Sequence, residues 1–473
     1  MISIIDTIVI LLTLIFIVAV AVRRSIGLTL EDYWVNKRKT SKFILICSTL
    51  STSIGAGTVV AIVSMSYKGG FIGAILGFCN ALGLFLLGYF LAAKIRKISA
   101  KYKCYTLGDI LELRFSRKCR FAIGIVNLVV YFFFLAAQLL AFGAFIKIVT
   151  NWDYFLSLVV ASVIIFFYVF VGGLKSDFFT DLCQFFLLLI LTVTLPIFLF
   201  LEFGNLNSMY TSLKSLPWNY LAGISYAGWP FLIGAILFFT PSILVMMDTW
   251  QRIFAAENEE TAKKSLMLSG LFIFPLFFLF SLIGVFAYIL FPELDPNTAT
   301  PYMIKEVLPI GLIGVAFSGF IAALMSTADS MLIVASTTAV KDFYHSLIYK
   351  EADEKHLLRV SRMASLFIGF ISLAFALAFP DIVRVAISGF SSLIILIPGV
   401  IGGLLWQRAT SKAAFWSILV GFCFVCSVLL FIPQYADYAF IPGFILSCFV
   451  FIVLSFLTKH EQEEKPHLWY GEV

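Results

Sequence analysis

An all-α integral membrane protein with thirteen transmembrane helices is the fold class this sequence predicts, and three observations carry it. Of the 473 residues, 61% are hydrophobic and only 13% charged, where a soluble chain has about half and about a quarter. The mean hydropathy of +1.02 excludes the low-hydrophobicity regime of disordered chains. The apolar residues form continuous runs of about 20, the length a helix needs to cross a bilayer, without the alternating polarity of a membrane barrel.

In chain order the spans read as 3–22, 41–66, 70–93, 121–148, 154–174, 178–202, 226–247, 266–291, 308–338, 363–380, 384–406, 413–432 and 438–458. The first lacks a basic n-region and a small-residue cleavage site, so it reads as a retained span and not a signal peptide. An odd number puts the termini on opposite sides. Five of the 33 lysines and arginines (Lys68, Lys147, Lys214, Lys305 and Arg384) fall on one side, and the other 28 on the opposite side. The richer side is the cytoplasm by the positive-inside rule. The N-terminus is then outside and the C-terminus cytoplasmic. Arg252 counts among the cytoplasmic loop residues, and Lys175 and Asp177 read as solvated at a helix end. The formal charge of +6 is a sidedness signal, so no nucleic-acid partner is expected; the chain's surroundings are the lipid bilayer of the cell (inner) membrane.

His345, His356, His460 and His467 all fall in loops or the tail, which argues against haem, a His-ligated metal or a His-based triad within the membrane. Cys423 and Cys426 have CxxC spacing inside an apolar helix and read as small packing residues. No loop is long enough for a soluble output domain.

Polar residues inside spans are costly and mark function. The second span carries six hydroxyl residues and two glycines between Cys47 and Thr58. Such a stretch suits a helix that unwinds and presents carbonyl oxygens to a hard cation, or tight small-residue packing. The seventh span holds Pro230, Gly234 and Pro241, consistent with a second interruption near Gly234 or a simple proline kink. On the ninth, Ser326, Asp329 and Ser330 share one face beside Thr327; they read as a cation site, or Asp329 reaches the water layer. Asp181 and Gln184 enter the sixth about one turn deep, as functional groups or with Asp181 as a first-turn acid. The two interrupted helices open two five-span units, and five being odd, the second is inverted. This 5+5 pattern points to a secondary transporter with its site between the repeats. It divides the chain into an extra helix and loop (1–40), a first repeat (41–202), a second (203–412), and two further helices with a short tail (413–473).

The motifs SKFILICSTLSTSIGAGT (41–58), YTLGDILELRF (105–115), VGGLKSDFFTDLCQ (171–184), DTWQRIFAAEN (248–258) and SGFIAALMSTADSMLIVASTTAVKDFY (318–344) occur in this order. In them the chain resembles the sodium/solute symporter family, which includes sodium/proline, pantothenate, glucose and choline transporters. The resemblance implies a leucine-transporter-like fold and a sodium-coupled symporter, not an enzyme, with Na+ as coupling ion and no organic cofactor. It implies a main Na+ site at the carbonyls of Ser51, Ile54 and Ala323 and the hydroxyls of Ser326 and Thr327. A second Na+ site would use Asp181, Ser326, Asp329 and Ser330. Matching or neighbouring substrate positions are Ser53, Gly55, Thr58, Gly77, Gln138, Phe239, Ser242 and Met246; Gln138 reads equally as an interhelical hydrogen bond. Choline transporters carry Trp at the position of Ser53 and near Met246, and neither is present here. The expected solute is an amino acid (proline-like) or carboxylate. The alternatives are a quaternary ammonium or sugar of the same family, or proton coupling. A monomer is expected to suffice for transport.

Overall fold

The computed structural model describes residues 3–379, 382–461, 464–465 and 468–469. Regular structure there is helical, apart from an isolated bridge between Thr40 and Ala256. Eleven helices are long and apolar enough to cross a membrane, and the bent pair Lys42–Ser53 and Gly57–Gly69 brings the number to twelve. The fifth expected span is the apolar helix Tyr154–Val171, which is not among those twelve. Two ends extend past their apolar runs. The ninth span continues as Leu312–Ile348, which puts His345 on its last turns. His356 sits in the first turn of Glu354–Ala378 and bonds the Tyr344 hydroxyl at 2.8 Å. His467 lies outside the described residues. Cys423 is exposed on its helix surface, so it faces outward instead of packing.

The first interruption falls where the sequence places it. Lys42–Ser53 ends at Ile54, whose φ of −109° and ψ of 67° are non-helical, and the two halves meet at 52°. The second falls elsewhere. Gly234 is helical, with φ −58° and ψ −44°. The backbone hydrogen bonds displaced around Pro230 and Pro241 are absorbed by a π-helical turn at Ala235–Phe239 and a 3-10 turn at Ile243–Val245. The chain breaks at Met246, which is extended at φ −68° and ψ 116°. It resumes as the buried helix Met247–Ala255. The seventh element therefore runs past 247, through a stretch the sequence reading assigns to a loop.

Three helices carry most of the polar residues into one place. Leu174–Glu202 packs along Leu312–Thr338, and Lys42–Ser53 packs against both. Gly319 lets the first two approach, since a Cβ there would stand 2.5 Å from the Leu187 carbonyl oxygen. The start of Leu312–Thr338 is tied down by Asp6, fully buried in the first helix. Its carboxylate accepts from the amides of Gly311 and Gly314, both at 2.8 Å, and so satisfies otherwise orphaned N–H groups.

Several arginines expected to be solvated sidedness markers are buried instead. Arg114, fully buried, donates to the carbonyls of Gly403 at 3.0 Å and Ala409 at 3.1 Å, closing the end of a neighbouring helix. Arg120 joins Asp109, Glu112 and Asp342. Arg252 enters the centre of the protein.

Candidate ion and solute site

At the bend the Ser51 carbonyl keeps only a short-range bond from the Ile54 amide, at 3.2 Å, and the ninth-span helix supplies hydroxyls to it and its neighbour. Ser326 Oγ donates to the Ser51 carbonyl at 3.1 Å and to that of Ala323 at 3.2 Å. Thr327 Oγ1 donates to the Thr52 carbonyl at 2.9 Å and to Ala323 at 3.1 Å. Ile54 is fully buried beside them. Five neutral oxygens thus converge from two helices, a donor set that suits a hard monovalent cation.

A second group lies one turn further along. Asp177, Asp181 and Asp329 are all buried, each with a carboxylate oxygen within 4.8 Å of the others. Ser330 Oγ donates to Asp177 at 3.1 Å, and Ser48 Oγ donates to Asp181 at 2.5 Å. Asp177, read from sequence as solvated, is only 3% exposed: the first turn of Leu174–Glu202 is packed under neighbouring helices. Of the residues expected at a second Na+ site, Asp181, Asp329 and Ser330 come together, whereas Ser326 points to the carbonyl group above.

Arg252 fills the space among these acids. Its Nη2 donates to Thr52 Oγ1 at 2.5 Å, Ser330 Oγ at 3.0 Å and Asp181 at 3.4 Å. Nε donates to Ser48 Oγ at 3.1 Å and Nη1 to the Asp248 carbonyl at 3.1 Å. Arg252 thus pairs with Asp181 at 3.4 Å and stands 3.9 Å from Asp248, while Asp177 and Asp329 lie beside Asp181; buried charge of that kind calls for cations.

Two adjoining cavities open on the other side of the broken helix. The larger, about 160 Å³, is walled by phenylalanines, with Ser53, Thr58, Asn80 and Ser242 as its polar groups. The smaller is bordered by Ser53, Gly55, Gln138, Met246, Asp248 and Thr327, among others. Phe239 lines the larger. Gly77 lines neither: a Cβ there would stand 2.4 Å from the Cβ of Phe277, so it backs a wall residue instead. Gln138 Oε1 accepts from the Ala56 amide at 2.7 Å, which fixes the unwound turn. Gly55 is confined most tightly, since a Cβ there would meet Thr327 Oγ1 at 2.2 Å and Gln138 Oε1 at 2.9 Å. Gly55→Ala is expected to abolish sodium-dependent stabilisation while leaving the protein membrane-inserted, measured by thermal unfolding with and without Na+.

Sequence reasoning missed Asn80, Asp177, Asp248, Thr249 and Arg252. The signal available for the last was a lone Asp248–Arg252 pair at i,i+4 directly after an apolar run.

Two discontinuous helices, a carbonyl-and-hydroxyl cluster at the first break, and a cavity between them define a secondary carrier of the leucine-transporter class. A family model described as "SSF: Sodium:solute symporter family" matches residues 33–421. The chain belongs to that family, and sodium-coupled symport of a small solute is the function membership carries. Among its relatives, the sodium/pantothenate symporter of Escherichia coli is 23% identical over 442 residues, 91% of each chain. The high-affinity proline transporter PutP of Bacillus subtilis is 24% identical over 462 residues, 93% of this chain and 94% of that one. A Na+-coupled sialic acid symporter has the same fold, with a TM-score of 0.83 at 19% identity over 98% of this chain and 99% of that one.

Proposed function

We propose that the protein imports a small organic solute across the inner membrane with Na+, as a thirteen-span monomer with its N-terminus outside and its C-terminus in the cytoplasm. Residues 41–202 and 203–412 form the inverted repeats, flanked by the extra helix at 1–40 and the two helices at 413–473. Na+ binds the carbonyls of Ser51, Ile54 and Ala323 and the hydroxyls of Ser326 and Thr327. Asp181, Asp329 and Ser330, joined by Asp177, take a second Na+. The solute lies in the two cavities against Ser53, Gly55, Thr58, Gln138, Phe239, Ser242 and Met246.

The observation that carries this reading is the meeting of Ser326 and Thr327 with Ser51 and Thr52 across the bend. An ion there fastens the broken helix to Leu312–Thr338 and sets the unwound turn that borders both cavities. Ion and solute then raise each other's affinity by the same factor. The membrane potential adds about 2.3 kcal/mol per charge per 100 mV to the inward step. The proline and pantothenate transport of relatives supports an amino acid or carboxylate solute.

The test is a thermal-shift screen of purified protein against amino acids, carboxylates, sugars and quaternary amines, in Na+ and in K+, followed by uptake of the hit into proteoliposomes. Stabilisation by the hit should require Na+, and uptake should follow an imposed Na+ gradient. Uptake that ignores Na+ and follows a pH gradient would replace sodium coupling with proton coupling.

A further inference from the structure

Asp248 stands apart from the sodium ligands. It is the second residue of Met247–Ala255, immediately past the break at Met246, and it borders the smaller cavity. Its Oδ1 accepts from the Tyr131 hydroxyl at 2.6 Å, and its amide donates back to that hydroxyl at 2.8 Å. The pair fixes the carboxylate in place. Oδ2 is committed to nothing comparable: Arg252 Nη1 stands 3.9 Å away, beyond hydrogen-bond reach, and that guanidinium spends its donors on Ser48, Thr52, Ser330 and Asp181. An acid in the first turn is favoured by the helix dipole. That accounts for the position, but not for a rigidly held carboxylate with one oxygen left over beside a cavity.

A second observation points to a ligand. Asn80 borders both cavities, is only 8% exposed, and its carboxamide makes no hydrogen bond among the described residues. Its amide therefore opens onto the cavity space instead of pairing with neighbouring groups, as side chains in native interiors normally do. Around the same space stand the rings of Phe134 and Phe390, their centroids 4.9 Å apart, and aromatic faces attract cations. Among the described residues, no lysine, arginine or histidine borders either cavity. A carboxylate head on the Asp248 side would meet that like charge first, the nearest cations being Arg252, 3.9 Å behind Oδ2, and the ion proposed at Thr327.

We propose that the solute carries a protonated primary or secondary nitrogen and that Asp248 selects it. The ammonium binds Oδ2 of Asp248 beside the paired rings of Phe134 and Phe390, Asn80 supplies a further acceptor, and an apolar body occupies the phenylalanine-walled cavity. The proposal rests on the reading of these cavities as the solute site, and it narrows the solute to amines and amino acids, away from simple carboxylates and sugars.

Three probes with one body and different heads decide it: 2-phenylethylamine, 2-phenylethanol and 3-phenylpropionate, titrated by thermal shift or calorimetry against the full-length protein in Na+. The amine should bind at least about tenfold more tightly than the other two, and Asp248→Asn should remove that preference by weakening the amine about tenfold or more. Asp248→Glu keeps the charge and should keep the preference at reduced affinity, which guards against a variant that fails to fold. Equal binding of alcohol or carboxylate and amine, or an undiminished amine preference in Asp248→Asn, overturns the assignment. So does the absence of binding by all three probes. The Na+-dependent shift of the protein without any probe reports separately on the sodium reading, so the two failures can be told apart.

Discussion

Arg252→Ala is expected to be the most damaging single substitution in the membrane core. It would leave Asp181 and Asp248 without the cation they pair with while both stay buried. Removing one partner of a buried charge pair costs about 3–5 kcal/mol, because the remaining charge is neither solvated nor paired. Arg252 also ties three segments at once, through Ser48 and Thr52 on the broken helix, Ser330 on Leu312–Thr338 and Asp181 on Leu174–Glu202. Arg252→Lys keeps the charge but loses the planar fork that reaches these oxygens from two nitrogens, so it should fall between alanine and the native protein. The measurement is the unfolding midpoint in detergent or nanodiscs. A double variant identifies the cause: Asp181→Asn, harmful alone, should recover part of the loss in the Arg252→Ala background, since it removes a stranded charge. An unchanged midpoint in Arg252→Ala, or strictly additive losses in the double variant, would show that the pair is not coupled as its geometry requires.

The same residue explains what the sequence could and could not disclose. Hydroxyls and glycines between Ser51 and Thr58 stand out because they interrupt an otherwise apolar run. Ser326, Asp329 and Ser330 stand out because helical spacing gathers them on one face. Both signals are local, and both led to residues that the folded chain brings together. Arg252 and Asp248 sit just after an apolar run, in a stretch whose charges make it look like a cytoplasmic loop. Their burial is permitted only by partners far away in the chain: Asp181 is 71 residues from Arg252, and Ser48 is 204 residues away. No window of hydropathy contains that information. Asp177 follows the same logic: four residues before Asp181 at a helix end, it looks solvated until the packing above it is known. The second break was legible in kind and not in position. Prolines mark strain in a helix, but π and 3-10 turns absorbed it here, and the chain opened at Met246, where Tyr131 and Arg252 could bond the freed backbone and side chain of Asp248.

Ser326→Ala and Thr327→Ala are expected to raise the Na+ concentration needed for half-maximal stabilisation, each by about thirtyfold. Each removes one oxygen from a site assembled from five neutral ones, and a hydrogen bond or dipole directed at a charge is worth about 2 kcal/mol. The backbone carbonyls of Ser51, Ile54 and Ala323 remain, so some affinity should survive each single change and the double variant should lose sodium response altogether. Solute affinity at saturating Na+ supplies the discriminating measurement. Neither hydroxyl is free to bind solute, because both are directed at carbonyls, so the effect on solute should disappear once the sodium site is filled. Coupling requires this outcome: if the ion acts by fastening the bent helix to Leu312–Thr338, enough of it restores the same cavity. A solute affinity that stayed low at any Na+ concentration would place these hydroxyls in the solute site instead. A pair of variants with an unaltered sodium requirement would leave the group of Asp177, Asp181 and Asp329 as the site that sets it.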